Sequence, residues 1–289
     1  MNMRIIDHLV MPVEGLSQAR AALQRLGFMV AADARHPFGS ENACVFLEDG
    51  AYLEPLAIGD PDAYARSADA GNVFTGRDRQ LRGIFPKGGL SAVVLATDDA
   101  FAEDAAYRAR GVSAGEILEF SRKLALPAGG EVTASFRLAF AADHASPAFF
   151  MFSCQRINVL PREIGALAQH ANSVSGLREV VLSADRLAEA CHLLETVLAT
   201  EGRREGNSVV YDTRSGIVRV IEDPMSTGPA TAKRGAMQDL RGRSVVFSVT
   251  DLAVTASVLA ANDVPFLRQD NRLVVANATG QDVLFAFEE

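Results

Sequence analysis

Four times along this chain a short run of strand-forming residues leads through a polar turn into a stretch whose apolar residues recur at helical spacing. In the first pass, residues 4–11 read RIIDHLVM, and Leu16, Ala19, Leu23 and Leu26 then mark one face of a helix over about 15–26, closed by Gly27. The second begins at 90–96 (LSAVVLA), with Asp98 and Asp99 as the N-cap of a helix that runs through Tyr107 and stops at Gly111. The third is 177–183 (LREVVLS), followed by a helix over about 185–199 with Leu187, Cys191, Leu194 and Leu198 on one face. The fourth is 244–249 (SVVFSV), with Thr250 and Asp251 capping a helix that ends near Asn262. Shorter strand-like runs follow the helices, at 43–47, 51–56 and 149–152 in the first half and 208–211, 217–221, 272–275 and 283–287 in the second.

Each pass therefore reads as strand, helix, then two or three strands, with strand starts near 5, 90, 177 and 244. One such unit exposes a hydrophobic sheet face that it cannot cover alone, so units must pair. The expectation is an α+β fold of four βαβββ units pairing into two curved-sheet half-barrel domains, 1–160 and 175–289. Residues 59–89, rich in Gly, Asp and Arg, read as the join between units one and two. Residues 223–234 hold turn formers without periodicity and read as a crossing segment.

Composition narrows the function classes. The chain has 289 residues, 48% of them apolar and 22% charged, which describes a globular protein with substantial cores. A net charge of −8 with no Lys/Arg-rich run argues against nucleic acid or an anionic membrane as partner. No run of about 18 uncharged apolar residues predicts a membrane span, and the N-terminus lacks a signal-peptide core. Cys44, Cys154 and Cys191 are odd in number and widely spaced, so they read as reduced, buried thiols and the expected compartment is cytoplasmic. Neither Gly-x-Gly-x-x-Gly after a strand nor Gly-x4-Gly-Lys-Ser/Thr occurs, so no nucleotide cofactor is expected; Gly-x-Ser-x-Gly and His-Glu-x-x-His are absent as well.

Two polar residues stand out against apolar surroundings. Aligning the four first strands on their helices makes His8, Ala92, Glu179 and Ser244 equivalent, and His8 sits between Ile5-Ile6 and Leu9-Val10-Met11. Glu54 lies in Ala-Tyr-Leu-Glu-Pro-Leu, where a buried carboxylate is costly unless a cation, metal or hydrogen-bond donor meets it. His8 and Glu54 can face one cavity, and they can equally form a hydrogen-bonded pair that only steadies the sheet.

The segments IDHLV at 6–10, RHPFGSEN at 35–42 and YLEPL at 52–56 resemble the glyoxalase-like branch of the vicinal oxygen chelate superfamily, which includes glyoxalase I, extradiol dioxygenases and bleomycin-resistance proteins. Weaker likeness continues in FFMFSCQ at 149–155 and QHAN at 169–172. The resemblance implies paired βαβββ units and a divalent ion (Zn, Mn, Fe or Ni) held by a His or Glu from each first strand and a Glu from each last strand. His8 and Glu54 match as metal ligands. Unit two departs from the pattern, with Ala92 on its first strand, no carboxylate or imidazole at 148–153, and Arg156 where relatives carry a His after Cys-Gln. The implied activity is metal-dependent lyase, isomerase or dioxygenase chemistry on a small oxygen-rich molecule; the alternative is a non-catalytic binder of the bleomycin-resistance type.

The remaining candidates are assigned from residue chemistry. His36, in a polar turn, could act as general base beside Glu54, donate to a substrate oxygen, complete a metal site, or bond its own backbone. Asn42 could orient a substrate carbonyl or bridge the turn. His170 and Asn172, on the connector between halves, could line a substrate cleft or cap the next strand. His144 and His192 read as structural or solvated, and Glu179 with Arg219 reads as an ion pair in a second half that serves as scaffold, lid or homodimer surface.

Overall fold

A computed structural model describes residues 3–125, 131–158, 165–222, 240–276 and 283–289. The first unit is β1 (Ile6–Pro12), α1 (Leu16–Arg25), β2 (Ala34–Arg35), β3 (Ser40–Asn42), β4 (Val45–Phe46) and β5 (Tyr52–Ile58). Helices α2 (Pro61–Asp69) and α3 (Val73–Ile84) follow, and unit two is β6 (Ala92–Ala96), α4 (Ala100–Ala109), β7 (Leu118–Ala125), β8 (Glu131–Ala141) and β9 (Phe150–Arg156). Unit three comprises β10 (Val174–Ala184), α5 (Leu187–Leu198), β11 (Arg203–Glu205), β12 (Ser208–Thr213) and β13 (Gly216–Glu222). Unit four is β14 (Leu240–Val249), α6 (Leu252–Ala261), β15 (Leu267–Gln269), β16 (Arg272–Val275) and β17 (Leu284–Glu288).

The units pair two by two. In the first sheet the order is β2-β3-β5-β1-β6-β9-β8-β7, with β4 also on β5; the second runs β11-β12-β13-β10-β14-β17-β16-β15. In both, the first strands of the two units lie antiparallel at the centre and each is parallel to the last strand of its own unit. The helix caps follow their sequence signals: Asp99 and Asp251 each accept two backbone N–H bonds at the starts of α4 and α6.

The helix-bearing faces of both sheets share one core. It joins Leu9, Met11 and Leu23 of the first unit to Leu194, Phe247 and Phe287 of the second half. Phe28 crosses between halves, with its ring against Phe247, Phe285 and Phe287. No helix among the described residues is long and apolar enough to cross a membrane.

The segment 59–89 is more ordered than a simple join. Asp60 caps α2 ahead of Pro61, and Asn72 caps α3. Arg82 donates to the carbonyls of Val13 and Leu56 and to Asp78, which also accepts from the Tyr64 hydroxyl at 2.6 Å. Those bonds fasten the two helices over the concave face of the first sheet, where Phe74 packs. Strands β7 and β8, which the sequence reading passes over, complete that sheet's far edge. The crossing segment expected at 223–234 lies outside the described residues.

Candidate functional site

The concave face of the first sheet is set by strand alternation. On β1, His8 and Val10 face it while Leu9 and Met11 face the helices; on β5, Glu54 and Leu56 face it while Leu53 and Ala57 face away. Because this face is covered too, strands buried on both sides read as nearly continuous apolar runs, and the two polar intruders stand out. The wall around them is Phe38, Phe74, Phe140, Phe150 and Phe152, packed with Ala92, Val94 and Cys154.

His8 and Glu54 are both 4% exposed and do meet. In register Val10 sits beside Glu54, so His8 and Glu54 are diagonal neighbours on adjacent parallel strands. The His8 Nε2 to Glu54 Oε2 distance is 3.5 Å, while Nδ1 donates to Asp7 at 2.7 Å. Asp7 is held in turn by both terminal nitrogens of Arg156. The imidazole stacks on Tyr52 at 4.5 Å and meets the edge of Phe152 at 5.7 Å.

His36 reaches the same carboxylate from the turn between β2 and β3. Its Nε2 is 3.7 Å from Glu54 Oε1, its Nδ1 shares a 2.9 Å hydrogen bond with Ser40, and its ring stacks on Phe38. Asn42 donates from Nδ2 to Glu54 Oε1 at 2.5 Å. Gly39 makes the turn possible: its φ is +89°, and a Cβ there would stand 2.3 Å from the Tyr64 amide nitrogen.

The electrostatics separate the three groups. Burial opposes charge on His8, but its bonds to Asp7 and Glu54 outweigh this and raise its pKa above 6.5. Burial likewise opposes ionisation of Glu54, yet the bond to His8 and the charges of His8, His36 and Arg122 bring its pKa down to about 2. For His36 burial dominates and Arg122 and His8 add to it, against the pull of Glu54, so its pKa falls to about 4. At neutral pH the set therefore holds a carboxylate and a neutral imidazole, with the other imidazole biased toward its cation.

Among the described residues no group of three or more His, Cys, Asp or Glu side chains is arranged to hold a metal ion. The chemistry of the donor set gives the reason. His8 and Glu54 face each other as an ion pair, Asn42 occupies one Glu54 oxygen, and the positions from which unit two would contribute carry Ala92, Val94, Phe150 and Phe152. Catalytic metal sites usually keep about three protein ligands.

The other candidates fall elsewhere. His170 accepts from the Met29 amide at Nδ1 and bonds the Phe46 carbonyl through Nε2, with its ring edge-on to Phe28. Asn172 donates to the Leu26 carbonyl and accepts from the Val174 amide. None of these bonds involves His8, His36 or Glu54, so they support a connector role at both positions rather than the expected substrate contacts. His144 and His192 are exposed. Glu179 pairs with Arg219 at 2.5 Å, in the same diagonal register that joins His8 to Glu54. Asp7 and Arg122 belong to the site although the sequence reading did not single them out. Asp7 is adjacent to His8, and Arg122 follows Leu118 and Phe120 on a two-residue period that marks one strand face.

Paired βαβββ units in two curved sheets, with a polar cluster on a cupped concave face, define the vicinal-oxygen-chelate architecture. The chain belongs to the family of glyoxalase-like domains, which matches residues 6–198. Solved structures agree with the fold at low identity. A hypothetical protein from Staphylococcus aureus superposes with a TM-score of 0.68 at 11% identity, covering 98% of each chain. A 4-hydroxymandelate synthase mutant from Streptomyces coelicolor gives 0.65 at 12%, covering 99% of this chain and 92% of that one. A catechol 2,3-dioxygenase gives 0.54 at 13%, covering 100% and 88%. No functionally curated protein matches the sequence.

Proposed function

We propose that the N-terminal half binds a small molecule whose apolar body lies on the phenylalanine wall and whose oxygen function meets His8, His36 and Glu54, and that it does so without a resident metal. The observation carrying this reading is the pairing within the donor set: His8 is spoken for by Asp7 and Glu54, and the facing positions of unit two carry Ala92, Val94, Phe150 and Phe152 in place of a carboxylate or imidazole. The proton affinities support it. A general base works best with a pKa near the operating pH, and Glu54 at about 2 and His36 at about 4 are both well below it. Such groups hold charge and accept hydrogen bonds better than they relay protons.

The competing reading is a divalent-ion enzyme of lyase, isomerase or dioxygenase type. It draws on the imidazole that stands near each oxygen of Glu54. One experiment decides between them. Protein purified without chelator is assayed for metal before and after soaking with Mn, Zn, Fe(II) and Ni, and its melting temperature is screened against small aromatic acids, amides and alcohols with and without EDTA. The binder reading expects far less than one metal per chain and ligand-induced stabilisation that EDTA leaves intact. One equivalent of metal, lost in Glu54→Gln, overturns it.

A further inference from the structure

Among the described residues, Arg122 is a cation of the site that makes no direct ion pair. It projects from β7 on the face that carries Leu118 and Phe120, and Phe120 lies edge-on to His36 at 5.7 Å. Its guanidinium carbon is 5.8 Å from the centre of the Phe136 ring. The Nε and Nη1 atoms are buried and have no hydrogen-bond partner among the described residues. A guanidinium carries donors in a planar fork, and leaving two of them buried and unmet is costly, so natural structures seldom do it without a reason.

The surrounding charges are otherwise matched. Arg156 neutralises Asp7, and His8 faces Glu54. Arg122 forms no ion pair with any described carboxylate, yet its charge lowers the proton affinity of both His36 and Glu54, so it acts on the same polar cluster. The half-buried rings Phe120 and Phe136 stack on each other at 5.1 Å beside it.

We propose that Arg122 is the specificity residue of this site and selects a small carboxylate-bearing molecule, its Nε and Nη1 donating to the carboxylate while the apolar body lies on the phenylalanine wall. This rests on the small-molecule reading of the concave face and adds the ligand's charge to it. A carboxylate would meet both orphaned donors at once, in the two-pronged geometry that guanidinium favours.

The test uses the full chain and two isosteric probes, phenylacetate and phenylacetamide, with binding followed by ligand-observed NMR and calorimetry for the wild type, Arg122→Gln and Arg122→Lys. The expected result is that phenylacetate binds the wild type, binds Arg122→Gln about tenfold to a hundredfold more weakly, and is rescued in part by Arg122→Lys. Phenylacetamide should bind all three alike and weakly. Unaltered phenylacetate binding in Arg122→Gln, or equal affinity of acid and amide for the wild type, overturns the role of Arg122 and leaves the small-molecule site standing. If neither probe binds the wild type, the carboxylate proposal falls together with the small-molecule reading beneath it. Circular dichroism of each variant checks that the fold is retained.

Discussion

Buried, neutral His36 makes the stability of this protein fall toward acid, by an amount that follows from its environment. Its pKa drops from the ordinary 6.5 to about 4 because burial in the phenylalanine wall opposes the charged form and the nearby cations reinforce it. The unfolded chain therefore binds the proton more readily than the folded one between those two values. Stability is fully present above about pH 6.5 and declines as pH falls toward 4, at up to about 1.4 kcal/mol per pH unit. Between pH 8 and pH 5 this single group removes about 2 kcal/mol. Urea denaturation of the wild type and His36→Gln at both pH values isolates it, because the other titrating groups are common to both proteins. The wild type should lose about 2 kcal/mol more than the variant across that interval. Parallel losses, within about 0.5 kcal/mol, would refute the claim that His36 is held neutral by burial.

Three further outcomes follow from the packing and the ion pairs. Phe28→Ala removes the ring that joins the first unit to Phe247, Phe285 and Phe287, and should cost about 3–5 kcal/mol in chemical denaturation; a cost below 1 kcal/mol would show that the two halves do not share that core. Gly39→Ala forces a side chain into a left-handed turn against the Tyr64 backbone, with an expected loss of about 1–3 kcal/mol and a shifted His36 ring resonance in NMR spectra, whereas unchanged stability would contradict the tight turn. Asp7→Asn leaves Arg156 unpaired and deprives His8 of its charged acceptor. It should destabilise the protein by about 3 kcal/mol and lower the His8 pKa, while an unperturbed His8 titration would mean that Asp7 does not orient it.

Most of the fold was legible because it rests on repetition. Each first strand announces itself by a β-branched run and each following helix by an apolar stripe, and the caps Asp99 and Asp251 are legible from their position ahead of it. The polar intruders His8 and Glu54 were equally visible, since an ionisable residue in a doubly buried strand has few innocent explanations. Helices α2 and α3 are hidden by Gly71, Gly76 and Gly83 and by a density of Asp and Arg that mimics a loop; their order comes from Tyr64 bonding Asp78 across the two helices and from Arg82 bonding the distant Val13 and Leu56 carbonyls, a tertiary effect. Strands β7 and β8 were missed because the edge of a sheet mixes Glu, Ser, Arg and Lys with its apolar residues, and Arg122 was missed with them. His170 and Asn172 stand out as polar residues on a connector, but their bonds to the backbone of Met29, Phe46 and Leu26 reach far along the sequence, which no local pattern reveals.

The metal-free ion pair proposed for the site places His8 between two carboxylates and makes it no metal ligand. Its direct test is the imidazole nitrogen spectrum of selectively labelled protein, followed through a pH titration with and without added Zn. That pairing predicts a His8 midpoint above 6.5, both ring nitrogens protonated below it, and no change when Zn is added. A neutral His8 whose Nε2 resonance shifts on addition of one equivalent of Zn would contradict it.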